Sequence, residues 1–257
     1  MAIYTTEITS ETITSDNPIH QRLLKAYYAA MPYIHGKMLE VGCGEGRGVK
    51  LLKDKTSDYV ALDRHQAVVD QLKNDYPDVK FLQKIVPPFS GISDNEFDVV
   101  IAFQVIEHIK KDQEFLQEIH RVLKPGGKAI ISTPNIKMTL TRNPWHIREY
   151  TANELNTLAT SIFAKVTTLG IAGNEKVMEY YHMNKASVHR ITRFDVLNLQ
   201  YKLPNFVLRL PYELLNRMNR NKLKTTDNEL VKSITHKDYM VSESPETSLD
   251  LFYLMEK

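Results

Sequence analysis

Three stretches of this 257-residue chain carry side chains whose types and spacing could do chemistry. Residues 37–48 read K-M-L-E-V-G-C-G-E-G-R-G: a short apolar run holding Glu40, then the loop Gly42-Cys43-Gly44. Glycine lacks a Cβ and reaches positive φ at little cost, so a ligand can come close to the backbone there. A helix opening near Gly46 would aim unsatisfied N–H groups and the positive end of its dipole at an anionic ligand group. Residues 59–64, Y-V-A-L-D-R, form a second apolar run closed by Asp63, 21 positions after Gly42. A carboxylate at such a strand end can accept hydrogen bonds from both hydroxyls of a ribose. Residues 97–108, F-D-V-V-I-A-F-Q-V-I-E-H, end in Glu107 and His108, and a histidine can take the proton of a reacting hydroxyl. The three together imply a nucleotide-type cofactor with a proton acceptor near it.

Spacing speaks against a dinucleotide. The G-x-G-x-x-G fingerprint needs a third glycine five residues after the first, and Arg47 occupies that position. The pattern is E-x-G-x-G-x-G instead. At this point the chain resembles the class I S-adenosylmethionine (SAM) dependent methyltransferases, whose first motif is commonly [DE]-x-G-x-G-x-G. Residues 97–108 are similar to that family's fourth-strand motif with its E-H tail, and L-K-P-G-G at 123–127 resembles its turn before the fifth strand. The match covers roughly residues 36–170, the size of one α/β domain.

The resemblance implies SAM as cofactor. Gly42, Cys43 and Gly44 would hold the methionine end, with Glu40 near the ammonium or ordering the loop. Asp63 would take the ribose and Arg64 flank the adenine. Gln83 stands where many relatives carry an acid for the adenine amine, and Phe103 and Gln104 lie beside the cofactor at the end of the fourth strand. His108 and His146 are the candidate bases. His146 falls in N-P-W-H-I-R-E-Y (143–150), a stretch similar to one in bacterial methyltransferases near glycan or lipid pathways. Ubiquinone-type O-methyltransferases and RNA 3′-end 2′-O-methyltransferases bind a divalent metal through E-x-x-E-H. Here the first acid is Gln104, an amide and a poorer ligand for a hard cation, so no metal is assigned.

These residues need a scaffold, and apolar runs alternating with helical periods supply one. Strands are expected at 38–41, 59–63, 79–83, 97–103, 128–133 and 164–169, with a last one at 248–255. The expected architecture is a Rossmann-like, doubly wound, mostly parallel sheet of seven strands with helices on both faces, built as one domain over 1–257. An N-terminal helical cap spans 1–35. A mainly helical insertion at 172–247 precedes the last strand.

The insertion is basic: from 186 to 224, Arg190, Arg193, Lys202, Arg209, Arg217, Arg220, Lys222 and Lys224 stand against Asp195 and Glu213. Leu214, Leu215 and Met218 form an apolar stripe near Pro211. Two readings follow, a lid helix packing this stripe on the core, which is the favoured one, and peripheral membrane contact through 205–224.

Composition sets outer limits. Net charge of +2 gives no reason to expect a nucleic-acid partner. One cysteine excludes an intrachain disulfide and suits a reducing compartment. The Thr-rich start has no basic-then-apolar pattern of a secretory signal, so a cytoplasmic location is expected. The function implied is O-methylation of a small-molecule, lipid or glycan-intermediate acceptor. The alternatives are a metal-dependent RNA 2′-O-methyltransferase and a SAM-binding regulator without turnover.

Overall fold

The computed structural model describes residues 13–195 and 197–257; the first twelve residues of the expected N-terminal cap lie outside them. Eight strands form one sheet among the described residues, in the order β3-β2-β1-β4-β5-β8-β6-β7. They are β1 Lys37–Val41, β2 Asp58–Asp63, β3 Lys80–Gln83, β4 Phe97–Phe103, β5 Leu123–Pro134, β6 Lys165–Gly173, β7 Tyr239–Ser242 and β8 Asp250–Glu256. β1 to β5 pair in parallel, while β8 runs antiparallel between β5 and β6.

The helices are α1 Asn17–Ala30, α2 Val49–Leu52, α3 Gln66–Asp75, α4 Asp112–Val122, α5 Ala152–Thr160, α6 Glu175–Thr192, α7 Leu199–Lys202, α8 Asn205–Thr226 and α9 Asn228–Ser233. Because side chains of a strand alternate between faces, the central strands feed two cores. Met38, Val99, Ile101 and Ile130 point to one, and Leu39, Val100, Ala102 and Ala129 to the other. Burial on both faces explains why these strands read as continuous apolar runs.

The fold departs from expectation in three places. The sheet has eight strands rather than seven, because β7, inside the insertion, adds an antiparallel edge to β6. The helix expected to open near Gly46 is the four-residue α2, preceded by turns in which Gly46 N donates to the Cys43 carbonyl and Val49 N to that of Gly46. Third, α8 does not pack its apolar stripe on the core: Leu214, Leu215 and Met218 are exposed, against the favoured lid reading. No described helix is long and apolar enough to cross a membrane.

Candidate active site

Strand order reverses between β1 and β4, and there, beyond the carboxyl ends of the strands, an α/β sheet binds its ligand. Two cavities open at this point. The first, about 200 Å³, is lined by Gly42, Cys43, Gly44, Asp63, Arg64, Phe103, Gln104 and His108, with Leu23 and Tyr27 of α1 along one side. A Cβ built on Gly44 meets nothing within 4 Å, and its φ is +49°, so this glycine leaves the space a ligand backbone would need. Gly42 has φ +76°, and a Cβ there would strike Val105 at 2.5 Å.

Asp63 holds the loop and keeps capacity to spare. Its two carboxylate oxygens accept from Gly44 N (3.0 Å) and His65 N (2.9 Å). A carboxylate has roughly four lone-pair sites, so two remain for a diol. The loop amides themselves are not open donors, since Gly42 N and Cys43 N both donate to the Leu62 carbonyl at 2.8 and 3.0 Å. With α2 a single turn, anion binding by a helix dipole drops out of the account. The loop provides room and shape instead.

Two assigned cofactor residues stand elsewhere. Glu40 is 1% exposed and lies beneath the loop, where its carboxylate accepts from the hydroxyls of Tyr27 (2.7 Å) and Tyr59. Burial pushes its carboxyl up to about 7 despite these hydrogen bonds. It orders the loop rather than meeting an ammonium, and Gly48 leaves it space, since a Cβ there would lie 2.7 Å from Glu40 Oε1. Gln83 turns back to donate to the Arg64 carbonyl at 3.0 Å, and the next residues, Lys84, Ile85 and Val86, line the cavity in its place. Cys43 is 3% exposed, its thiol held far above the ordinary range by burial and by the carboxylates of Glu40 and Asp63.

The second cavity, about 260 Å³, is lined by Gln104, Glu107, His108, Asn143, His146 and Glu149 on the sheet side. Tyr180, Tyr181, Tyr212 and Arg220 face them from the insertion. Gln104 and His108 belong to both cavities. Gln104 reaches its place through φ +57°, a left-handed conformation uncommon outside glycine.

Backbone contacts fix the histidine tautomers. His108 Nδ1 lies 2.9 Å from the Trp145 carbonyl, which can only accept, so Nδ1 carries the proton and Nε2 is the accepting nitrogen. Asn143 Oδ1 accepts from Trp145 N (3.0 Å), which turns its Nδ2–H₂ toward His146 Nε2 at 2.8 Å. The His146 Nδ1–H then donates to Glu149 at 2.6 Å. Glu107 anchors the whole loop, its carbonyl accepting from Ile147 N (2.7 Å) and Arg148 N (3.2 Å). The two imidazoles meet edge to face at 5.0 Å. Burial, with His146 adding to it, lowers His108 to about 4.

Glu107 was not singled out by the sequence beyond its place in the E-H pair. It is fully buried, with Oε2 accepting from Thr133 Oγ1 at 2.9 Å and no hydrogen-bond partner for Oε1 among the described residues. Burial raises its carboxyl to about 7, partly offset by His146. Glu107, His108 and His146 each bring a ligand-capable atom within 4.8 Å of the others. A carboxylate and two imidazoles are ligand types for a divalent cation, but His146 Nε2, its one nitrogen without a proton, already accepts from Asn143, which a cation would have to displace.

Comparison with known proteins finds methyltransferases. Residues 39–131 match a family model described as a methyltransferase domain. Over this stretch the chain is similar to a methyltransferase domain. A probable SAM-dependent methyltransferase of Mycolicibacterium smegmatis is 38% identical over 141 residues, 52% of this chain and 54% of that protein. A ubiquinone biosynthesis O-methyltransferase of Rickettsia conorii is 32% identical over 122 residues, 45% of this chain and 42% of that one. The chain therefore spans about half the length of the curated relatives it matches. A crystal structure titled as a SAM-dependent methyltransferase, possible histamine N-methyltransferase, from Thermotoga maritima shares the methyltransferase fold with a TM-score of 0.59. It is 14% identical, over 93% of this chain and 91% of that one.

Proposed function

We propose that this protein transfers the methyl group of SAM to a hydroxyl oxygen of a small-molecule, lipid or glycan-intermediate acceptor held in the second cavity. The observation that carries the reading is the shared wall: Gln104 and His108 line both cavities, so a donor in one and an acceptor in the other would meet across them. SAM supplies an already activated methyl carbon, which leaves the protein to align the reactants, exclude water and receive a proton. The acceptor oxygen bonds to the methyl carbon as the carbon–sulfur bond breaks, and the hydroxyl proton must leave. His108, whose Nε2 is the accepting nitrogen, takes it as the bond forms and, with its imidazole lowered to about 4, gives it up again at neutral pH. Asp63 would bind the ribose through the lone pairs its backbone contacts leave over.

A second reading rests on the cluster Glu107, His108 and His146. A divalent cation held there would orient the acceptor and favour its ionised form.

The experiment is calorimetric titration with SAM before and after EDTA, followed by assay of S-adenosylhomocysteine release against an acceptor panel. SAM binding indifferent to EDTA, weakened at least tenfold by Asp63→Ala, is the expected result. His108→Ala should keep SAM affinity and lose turnover. No SAM binding overturns the reading. Turnover abolished by EDTA and restored by Mg²⁺ transfers the role of the cluster to the metal.

A further inference from the structure

A surface helix of a globular protein ordinarily turns its apolar stripe to the core and its polar side to water. α8 does the reverse. Phe206, Leu210, Leu214 and Met218, four residues apart and hence on one side of the helix, are 74%, 69%, 58% and 65% exposed. The opposite side carries Tyr212, Asn216, Asn219 and Arg220, which face the second cavity. Asn219 donates to Asn184 of α6 at 2.7 Å, and Arg217 and Arg220 are paired with the buried Asp16 ahead of α1. α8 is thus held firmly by its polar side, with the apolar side left outward.

The segment leading into the helix is apolar and exposed as well. Phe194, Leu197 and Tyr201 are also exposed, at 74%, 65% and 62%. Phe194, Leu199 and Leu215 border an apolar cavity of about 420 Å³ between α6, α7 and α8. So many large apolar side chains left outward in one segment mark a binding surface.

Charge selects the occupant. Arg190, Arg193, Lys202 and Arg209 of the same segment are exposed, with Arg193 over the Phe194 ring at 4.8 Å and Arg209 over Trp145 at 4.2 Å. The two acids of the segment are occupied: Asp195 caps Leu199 N and Gln200 N, and Glu213 accepts from Trp145 Nε1. Exposed aromatic and aliphatic side chains interspersed with arginine and lysine suit the boundary between anionic headgroups and acyl chains. A second copy fits less well, because symmetric pairing would set the same cations against one another.

We propose that the outer face of α8, with Phe194, Leu197 and Tyr201, docks on an anionic lipid bilayer. This goes beyond methyl transfer and does not depend on it. The apolar cavity bordered by Phe194 shares Thr141, Val188, Tyr212, Asn216 and Asn219 with the second cavity, so that side of the docked face adjoins the acceptor site.

Flotation of the purified protein with vesicles tests this. The protein should float with vesicles of equal parts phosphatidylcholine and phosphatidylglycerol, stay behind with pure phosphatidylcholine, and release as salt is raised. Leu210→Glu/Leu214→Glu and, separately, Arg193→Glu/Lys202→Glu should each lower vesicle binding at least tenfold while SAM affinity and melting temperature hold. Failure of the wild type to float, or flotation of the leucine variant as well as the wild type, overturns the proposal. So does light scattering that shows a wild-type dimer split by the leucine variant, which assigns the face to a second copy. Vesicle binding without SAM binding would sink only the transfer reading, and the converse only the docking.

Discussion

α4 and α8 carry similar apolar periodicity and treat it in opposite ways. In α4, Phe115, Leu116, Ile119 and Val122 are all fully buried against the sheet, and each gains the transfer of its whole side chain out of water. In α8 the corresponding residues at four-residue spacing stand in solvent, and polar groups hold the helix instead. Periodicity states that a helix has an apolar side. It does not state whether this chain or another surface covers that side.

The sharpest break of the comparison is a pair of alanines. Leu116→Ala should cost roughly 2–5 kcal/mol, as cavity-forming core truncations do, and Leu214→Ala within about 0.5 kcal/mol, the range of exposed substitutions. Urea unfolding reads both, and a comparable loss at Leu214 would mean that α8 packs its stripe in solution after all.

Next in size is a pH effect confined to the cofactor half. Glu40 titrates near 7 when folded against an ordinary 4.5, so the native state binds the extra proton in between. Stability is therefore greatest below pH 4.5 as far as this group is concerned, and is lost as pH rises to about 7. The total is about 3 kcal/mol at 1.36 kcal/mol per unit. Glu40→Gln should remove that share of the slope and leave the share of Glu107. A slope unchanged in the variant would mean that the Glu40 carboxylate is solvated.

The smallest effect joins the two halves. Trp145 donates to Glu213 of α8 at 2.8 Å, and its carbonyl accepts from His108. Trp145→Phe should cost about 0.5–1.5 kcal/mol, the worth of one hydrogen bond, seen as a few-fold fall in turnover with SAM affinity unchanged. An equal fall in SAM affinity would show that the link serves the fold as a whole.

The parallel half of the sheet was legible because burial on both faces writes itself as apolar runs ending in Glu40, Asp63 and Phe103. Gly42, Gly44, Asp63, Phe103, Gln104 and His108 all reach the cavity that their strand-end positions implied. What the chain did not disclose depends on distant partners. Glu40 faces Tyr27 and Tyr59, 13 and 19 residues away, and no local pattern tells such an acid from one that meets a ligand. β7 is four residues long at an edge, with Met240 and Val241 exposed, so it shows no alternation. Glu107 looked like the lesser member of its pair, because the isolation of its Oε1 comes from packing alone.

Cys43, the one thiol of the chain, sits buried and protonated in the glycine loop. A protonated, enclosed thiol does not react with alkylating reagents until the structure around it opens. The alkylation rate of the native protein is therefore a clock for opening of that loop, and an occupied cofactor cavity should slow it in proportion to occupancy.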